Sequence, residues 1–184
     1  MLNKINDYFD KVKNCIDNVD RNEIKKFIDI LSDAKDNGMQ IFIMGNGGSA
    51  ASASHFCCDF NKGVSYQKDN KFKMICLNDN IATVMAYAND VGYEDVFVEQ
   101  LKNFLRKGDV VIGFSGSGNS KNVLKAVEYA NANGAITVGL TGYDGGMLKK
   151  IASYSVNANI DDMQVSEDMH MMLIHMLMQI FMEE

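Results

Sequence analysis

Over the first 36 residues, apolar positions recur every three to four places. They fall at Ile5, Phe9, Val12 and Ile16, then at Ile24, Phe27, Ile28 and Leu31. That spacing lines one face of a helix and predicts helices over 3–17 and 22–36. Asp20 or Asn22 stands where a cap for the second belongs, and Gly38 where a terminating glycine belongs. From Met39 the pattern changes to short unbroken apolar runs. MQIFIMG, FKMICL, DVVIGF, AITVGL and the weaker YSVNAN predict five strands. The segments between them, SAASASHFCCDFN, NIATVMAYAND, VFVEQLKNFL and KNVLKAVEYANANG, are helix-compatible, and a Met-rich helix runs from about Gln164 to the end.

Strand and helix alternate throughout. This predicts an α/β fold with a doubly wound five-stranded parallel sheet, covered on both faces. No composition shift or repeat divides the chain, so residues 1–184 read as one domain, with N-terminal helices over 1–37 and an α/β core with a C-terminal helix over 38–184. Ligands of such sheets sit beyond the carboxyl ends of the strands. Two Gly/Ser-rich loops fall there, at 45–49 and 115–120.

Composition narrows the function classes. Of 184 residues, 47% are hydrophobic and 23% charged, an ordinary globular mix, and the net charge of -6 without a basic stripe argues against a nucleic-acid partner. No apolar run approaches the roughly 20 residues that span a bilayer, and MLNKINDYFDKVKN has no signal-peptide core, so a cytoplasmic protein with no membrane partner is expected. Cys15, Cys57, Cys58 and Cys76 form no C-x-x-C pair and are expected as free thiols. With no proline in the chain, turns fall to Gly, Asn and Asp.

Three groups of residues could carry chemistry. The loops Gly45-Asn46-Gly47-Gly48-Ser49 and Ser115-Gly116-Ser117-Gly118-Asn119-Ser120 match neither dinucleotide nor P-loop spacing. Their hydroxyls, backbone N–H groups and adjoining helix starts suit a phosphate monoester, although such a loop also serves as a plain turn and N-cap. His55 and Asp59, four apart, share a helix face if 49–61 is helical, as a metal pair, an acid/base couple or a surface pair. On the last helix stand Glu167, Asp168, His170 and His175, where Glu167 and His170 have metal-type E-x-x-H spacing and Glu167 and His175 lie roughly 12 Å apart along a regular helix. The methionines around them read as core fillers.

The ordered set GNGGSAASASHF, YANDVGYEDVF, SGSGNSKNV, LTGYDGG and EDMHMMLIH resembles the sugar-isomerase (SIS) domain family, and within it the phosphoheptose isomerases. The resemblance covers almost the whole chain. It implies a flavodoxin-like parallel sheet with extra N-terminal helices, assembled as a homotetramer with active sites at subunit interfaces. It implies an aldose–ketose isomerase that converts sedoheptulose 7-phosphate to D-glycero-D-manno-heptose 7-phosphate for the heptose of bacterial lipopolysaccharide, capsule or other glycans. By the same resemblance Asn46, Gly47, Gly48 and Ser49 contact substrate, as do Asn89 and Asp90, and Ser115, Gly116, Ser117 and Ser120 hold the phosphate. His55 and His175 match ligands of a zinc ion, one per subunit, with Asp59 and Glu167 completing the set.

Two departures fall on chemical positions. Asp59 stands where the family has a catalytic Glu, and Glu167 where it has the Gln of R-I-Q-E, whose Arg is here Val165. Beyond HFAAEL the family's basic residue is displaced, leaving Lys62 and Gly63. The implied mechanism is proton transfer through an enediol, with Asp59 or Glu167 as base and His175 as acid. Two other readings stay open: an isomerase of another sugar phosphate, and a non-catalytic SIS protein that binds a phosphosugar or a protein partner.

Overall fold

The structure is a computed structural model that describes residues 1–183. Two helices, α1 (Leu2–Asn18) and α2 (Arg21–Asp36), precede the core. Asp20 is the residue that caps α2, accepting from the Asn22 N–H at 2.8 Å, and Gly38 follows the helix in the left-handed region at φ 64°. Then come β1 (Gln40–Met44), α3 (Gly48–Cys58), β2 (Lys73–Cys76), α4 (Ile81–Asp90), α5 (Val98–Phe104), β3 (Val110–Ser115), α6 (Lys121–Ala132), β4 (Ile136–Thr141), α7 (Gly146–Ile151), β5 (Tyr154–Asn157) and α8 (Met163–Glu183).

The five strands form one parallel sheet in the order β2-β1-β3-β4-β5. This is the flavodoxin-like order, whose topological switch lies between β1 and β3. Successive strand residues point to opposite faces, so each strand feeds two cores. On β1, Ile41 and Ile43 join the layer under α1, α2, α3 and α8, while Phe42 and Met44 join the layer under α5 and α6. On β3, Val110, Ile112 and Phe114 face the first layer and Val111 the second. Strands buried on both faces explain why the runs read as unbroken apolar stretches.

Two features depart from the sequence reading. The helix expected to end near Asn61 instead loosens at Cys58 into a π-helical turn, Asp59–Val64. Six-residue α7 was not expected, because its N-terminus is made by glycines, with Gly145 left-handed at φ 92°. The π-turn is clamped by aromatic packing. Phe60 meets Phe56, Phe72 and Phe181 edge-on at 4.7, 4.9 and 5.7 Å between ring centres. Such pairs add about 0.5–1.5 kcal/mol each beyond burial. They fix the end of α3 against α8, and the candidate site lies on that seam.

Candidate active site

The loops after β1 and β3 flank the switch point and face one another across a cleft of about 300 Å³. Asn46, Gly47, Gly48, Ser49, Ser115, Gly116, Ser117 and Ser120, the predicted loop residues, all line it, with Glu167 and Met163 from α8. Gly47 sits at φ 54°, ψ -122°, a conformation that side chains resist, and it aims the chain into α3. Gly48 lies directly under Glu167, since a Cβ there would lie 2.6 Å from Glu167 Oε2 and displace the carboxylate.

The serines are not spent on capping. Ser120 is the N-cap residue of α6 but makes no side-chain cap bond; its hydroxyl pairs with that of Ser115 at 3.0 Å. Neither α3 nor α6 has a side-chain cap, so two helix N-termini open toward the cleft with backbone donors in reserve. That arrangement favours an anion.

At the far end of the α3–α8 seam, three side chains converge. His55 Nε2 lies 3.0 Å from His175 Nε2, and Asp59 Oδ2 lies 3.2 Å from His55 Nε2 and 4.0 Å from His175 Nε2. Despite its two imidazole neighbours, Asp59 Oδ2 is buried and has no hydrogen-bond partner. Two imidazole nitrogens and an orphaned carboxylate oxygen, each aimed at the others, are a donor set for a cation. Donors held about 2.0–2.1 Å from a tetrahedral Zn²⁺ stand about 3.3 Å apart, so the residues fit such an ion.

Glu167, expected as a fourth ligand, is outside this group. α8 is one continuous helix, so the eight residues from Glu167 to His175 span about 12 Å of its axis. Glu167 meets Gly48 at the start of α3, while His175 meets His55 two turns further along it. The two helices thus run side by side as the long walls of the site.

Asn89 and Asp90 are exposed, bond to each other at 2.7 Å, and do not line the cleft of the single chain. His170 is a core residue. Its Nε2 donates to the Thr141 carbonyl at 3.2 Å, and burial pushes its pKa down to about 4, so the ring stays neutral. The four cysteines are free thiols. The Cys57 thiol is pushed up, first by its hydrogen bond to Cys76 and then by burial, which leaves it inert.

Sequence reasoning missed Tyr93 and Asn122. Both hydrogen-bond to Asn46. Asn122 had a signal, because asparagine is a weak helix former placed in the first turn of α6 directly after a Gly/Ser loop.

Comparison with known proteins agrees with this geometry. The SIS domain profile matches residues 7–142. The phosphoheptose isomerase of Helicobacter pylori is 39% identical over 154 residues, covering 84% of this chain and 80% of its own. That of Geotalea daltonii is 37% identical over 155 residues, with the same coverage of 84% and 80%. The structure of phosphoheptose isomerase from Neisseria gonorrhoeae superposes with a TM-score of 0.90 at 25% identity, over 100% of this chain and 99% of that one. With loops, switch point and profile in agreement, the chain belongs to the SIS domain family and, within it, groups with the phosphoheptose isomerases.

Proposed function

We propose that the protein is a phosphosugar isomerase that converts sedoheptulose 7-phosphate to D-glycero-D-manno-heptose 7-phosphate, at the entry to bacterial heptose synthesis for lipopolysaccharide or capsule. The observation that carries this reading is the arrangement along the α3–α8 seam, with the loop cleft at one end and the His/Asp group further along it. Gly/Ser loops with uncapped helix starts stand at one end, and the His55–Asp59–His175 group stands two helical turns away. A phosphate held at Ser49, Ser115, Ser117 and Ser120 places the other end of a sugar chain along α3 and α8. Fixing one end of a flexible substrate is a positioning contribution, because it converts a search into a directed encounter.

Asp59 is the base. Its Oδ2 has no hydrogen-bond partner and would serve the cation, which leaves Oδ1 to take the proton from the carbon beside the carbonyl. His175, an exposed ring whose Nε2 lies 4.0 Å from Asp59 Oδ2, returns a proton to the neighbouring carbon of the enediol from the ring nitrogen that a cation would leave free. Asp59 is one methylene shorter than Glu, and its place at the first residue of the π-turn sets its reach. His55, Asp59 and His175 would hold a zinc ion, which when bound polarises the sugar's carbonyl and hydroxyl oxygens. Glu167 lies over Gly48 and lines the loop end of the cleft, so its role is at the substrate rather than within the three-residue group.

The assembly is a homotetramer. Leu2, Ile5, Phe9 and Ile16 leave an apolar stripe exposed along α1, and α4 buries none of its own residues while exposing Ile81 and Met85. Helices so built need partners. A neighbouring subunit then brings Asn89 and Asp90 to the substrate. No helix among the described residues is long and apolar enough to cross a membrane.

The test is NMR on sedoheptulose 7-phosphate in D₂O, with and without zinc. Product should form, with deuterium entering beside the carbonyl. Neither product nor exchange would sink the reading, and the same assay on other heptose and pentose phosphates reads the substrate preference.

A further inference from the structure

Asn46 reaches into the cleft from the first loop, and three hydrogen bonds from two residues hold its carboxamide. Its Nδ2 donates to Asn122 Oδ1 at 2.9 Å. Its Oδ1 accepts from Asn122 Nδ2 at 2.9 Å and from the Tyr93 hydroxyl at 2.8 Å. The two ends of a carboxamide have the same shape, so hydrogen bonding alone decides which end is oxygen. Here one backbone group decides it. The Val123 N–H donates to Asn122 Oδ1 at 3.0 Å, and an amide N–H can only donate. That atom of Asn122 is therefore the oxygen. The reciprocal pair then fixes the polarity of Asn46, and the Tyr93 hydroxyl must be the donor in its own bond.

The consequence is chemical. A carboxamide carries two acceptor lone pairs and two N–H donors. In Asn46 both lone pairs are engaged and one N–H is engaged, which leaves one N–H. We infer that Asn122 and Tyr93 are positioning residues that orient Asn46 so that it offers the bound sugar phosphate a single donor and no acceptor. The inference rests on the cleft being the substrate site. The atom received by Asn46 is an oxygen with a lone pair to give, a carbonyl, enediolate or phosphoryl oxygen.

Both supports are themselves anchored. Asn122 is 3% exposed and joins the second loop's helix to the first loop. Tyr93 has an exposed ring, yet its neighbours tie the short turn Tyr93–Asp95 to α6, Glu94 to Lys121 at 2.9 Å and Asp95 to Lys125. A turn held at three successive residues keeps the phenol hydroxyl on Asn46.

The experiment is a double-mutant cycle. Tyr93→Phe keeps the ring and removes only the hydroxyl. It lowers kcat/KM on sedoheptulose 7-phosphate about 10-fold, the weight of one hydrogen bond. In the Asn46→Ala background the same change costs less than about 2-fold, because there is no carboxamide left to orient. Equal losses in the two backgrounds, or no loss in the first, overturn the inference. Asn46→Asp, which trades the remaining donor for acceptors, falls at least as far as Asn46→Ala; near-normal activity of Asn46→Asp also overturns it. A readout in the free protein needs no turnover. The Asn46 side-chain amide pair in a ¹H–¹⁵N spectrum, assigned by its loss in Asn46→Ala, shifts and exchanges faster in Tyr93→Phe, and an unmoved pair counts against the orientation. If the unmodified protein turns over no sugar phosphate, the functional reading fails while that spectrum still judges the positioning.

Discussion

His55 and His175, 120 residues apart in the chain, meet Nε2 to Nε2 at 3.0 Å, with the unpartnered Asp59 Oδ2 beside them. Two neutral imidazoles satisfy each other only if one carries a proton there and the other does not, and that bond leaves Asp59 unserved. A shared cation satisfies all three donors at once. Zinc is therefore expected to stabilise the folded protein. At about 100 times its dissociation constant a ligand adds about 2.7 kcal/mol. For a chain of this size that raises Tm by roughly 5–10 °C. Thermal scans with zinc and with a chelator measure it. His55→Ala and His175→Ala each remove the shift, and a shift that survives either change places the ion elsewhere.

Asp59→Ala takes away the proposed base. General-base removal lowers turnover by about 10²–10⁴-fold. Asp59→Asn, of the same size, is expected to fall by a similar factor, which separates charge from packing. Circular dichroism and Tm report whether the π-turn survives. Full activity of Asp59→Ala would take Asp59 out of the mechanism.

Gly48→Ala tests the loop end of the α3–α8 seam. The added methyl meets Glu167 Oε2 at 2.6 Å, so the carboxylate must leave its place over the start of α3. Gly48 lies outside the left-handed region, so helix geometry itself tolerates alanine there. Activity is expected to fall at least about 10-fold while Tm stays within a few degrees, since alanine is the better helix former. An unchanged KM and kcat would mean that the Glu167 position is immaterial to the substrate.

The site was legible wherever it is local. The two loops follow from apolar runs ending in Gly and Ser, and the His55–Asp59 contact from a spacing of four. The meeting of His55 with His175 is tertiary. It depends on α8 lying alongside α3, which no local pattern encodes, and the resemblance to a family supplied it. For the same reason Glu167 looked like a ligand. It entered the ligand set through the resemblance, although the eight residues to His175 already set the two roughly 12 Å apart on a regular helix, and the structure keeps them so. The π-turn at Asp59–Val64 was hidden because Phe60, Phe72 and Phe181 stabilise it across the fold rather than by propensity. The contacts of Asn122 and Tyr93 could not be read, even where the residue type gave Asn122 a signal, because their shared partner Asn46 lies 76 and 47 residues away.

Phe9 lies mid-stripe on α1 and is 58% exposed in the single chain. Phe9→Asp places a charge among Ile5, Val12 and Ile16. If α1 packs between subunits, the assembly dissociates, and light scattering coupled to gel filtration reports a smaller particle. Activity falls with it if Asn89 and Asp90 are supplied across the interface. A variant of unchanged mass would move the interface off α1.

His170 gives the fold a pH dependence whose direction follows from its burial. The ring is neutral in the core, where burial lowers its pKa to about 4 from the ordinary histidine value of 6.5. Above pH 6.5 neither folded nor unfolded chain carries the proton, and His170 contributes no slope. Between 6.5 and 4 the unfolded chain binds a proton that the folded one refuses, so stability falls as pH falls. The full window is worth about 3 kcal/mol. Asp162, whose pKa is lowered first by its hydrogen bond from Lys11, acts in the same direction, but only as pH falls through and below its ordinary value of 3.8. The two contributions therefore separate. His170→Gln retains a donor for the Thr141 carbonyl and cannot titrate. Urea unfolding at fixed protein concentration, from pH 7 to 4.5, should lose most of that slope in His170→Gln relative to the unmodified protein. Parallel pH profiles for the two would show that His170 is not the group responsible.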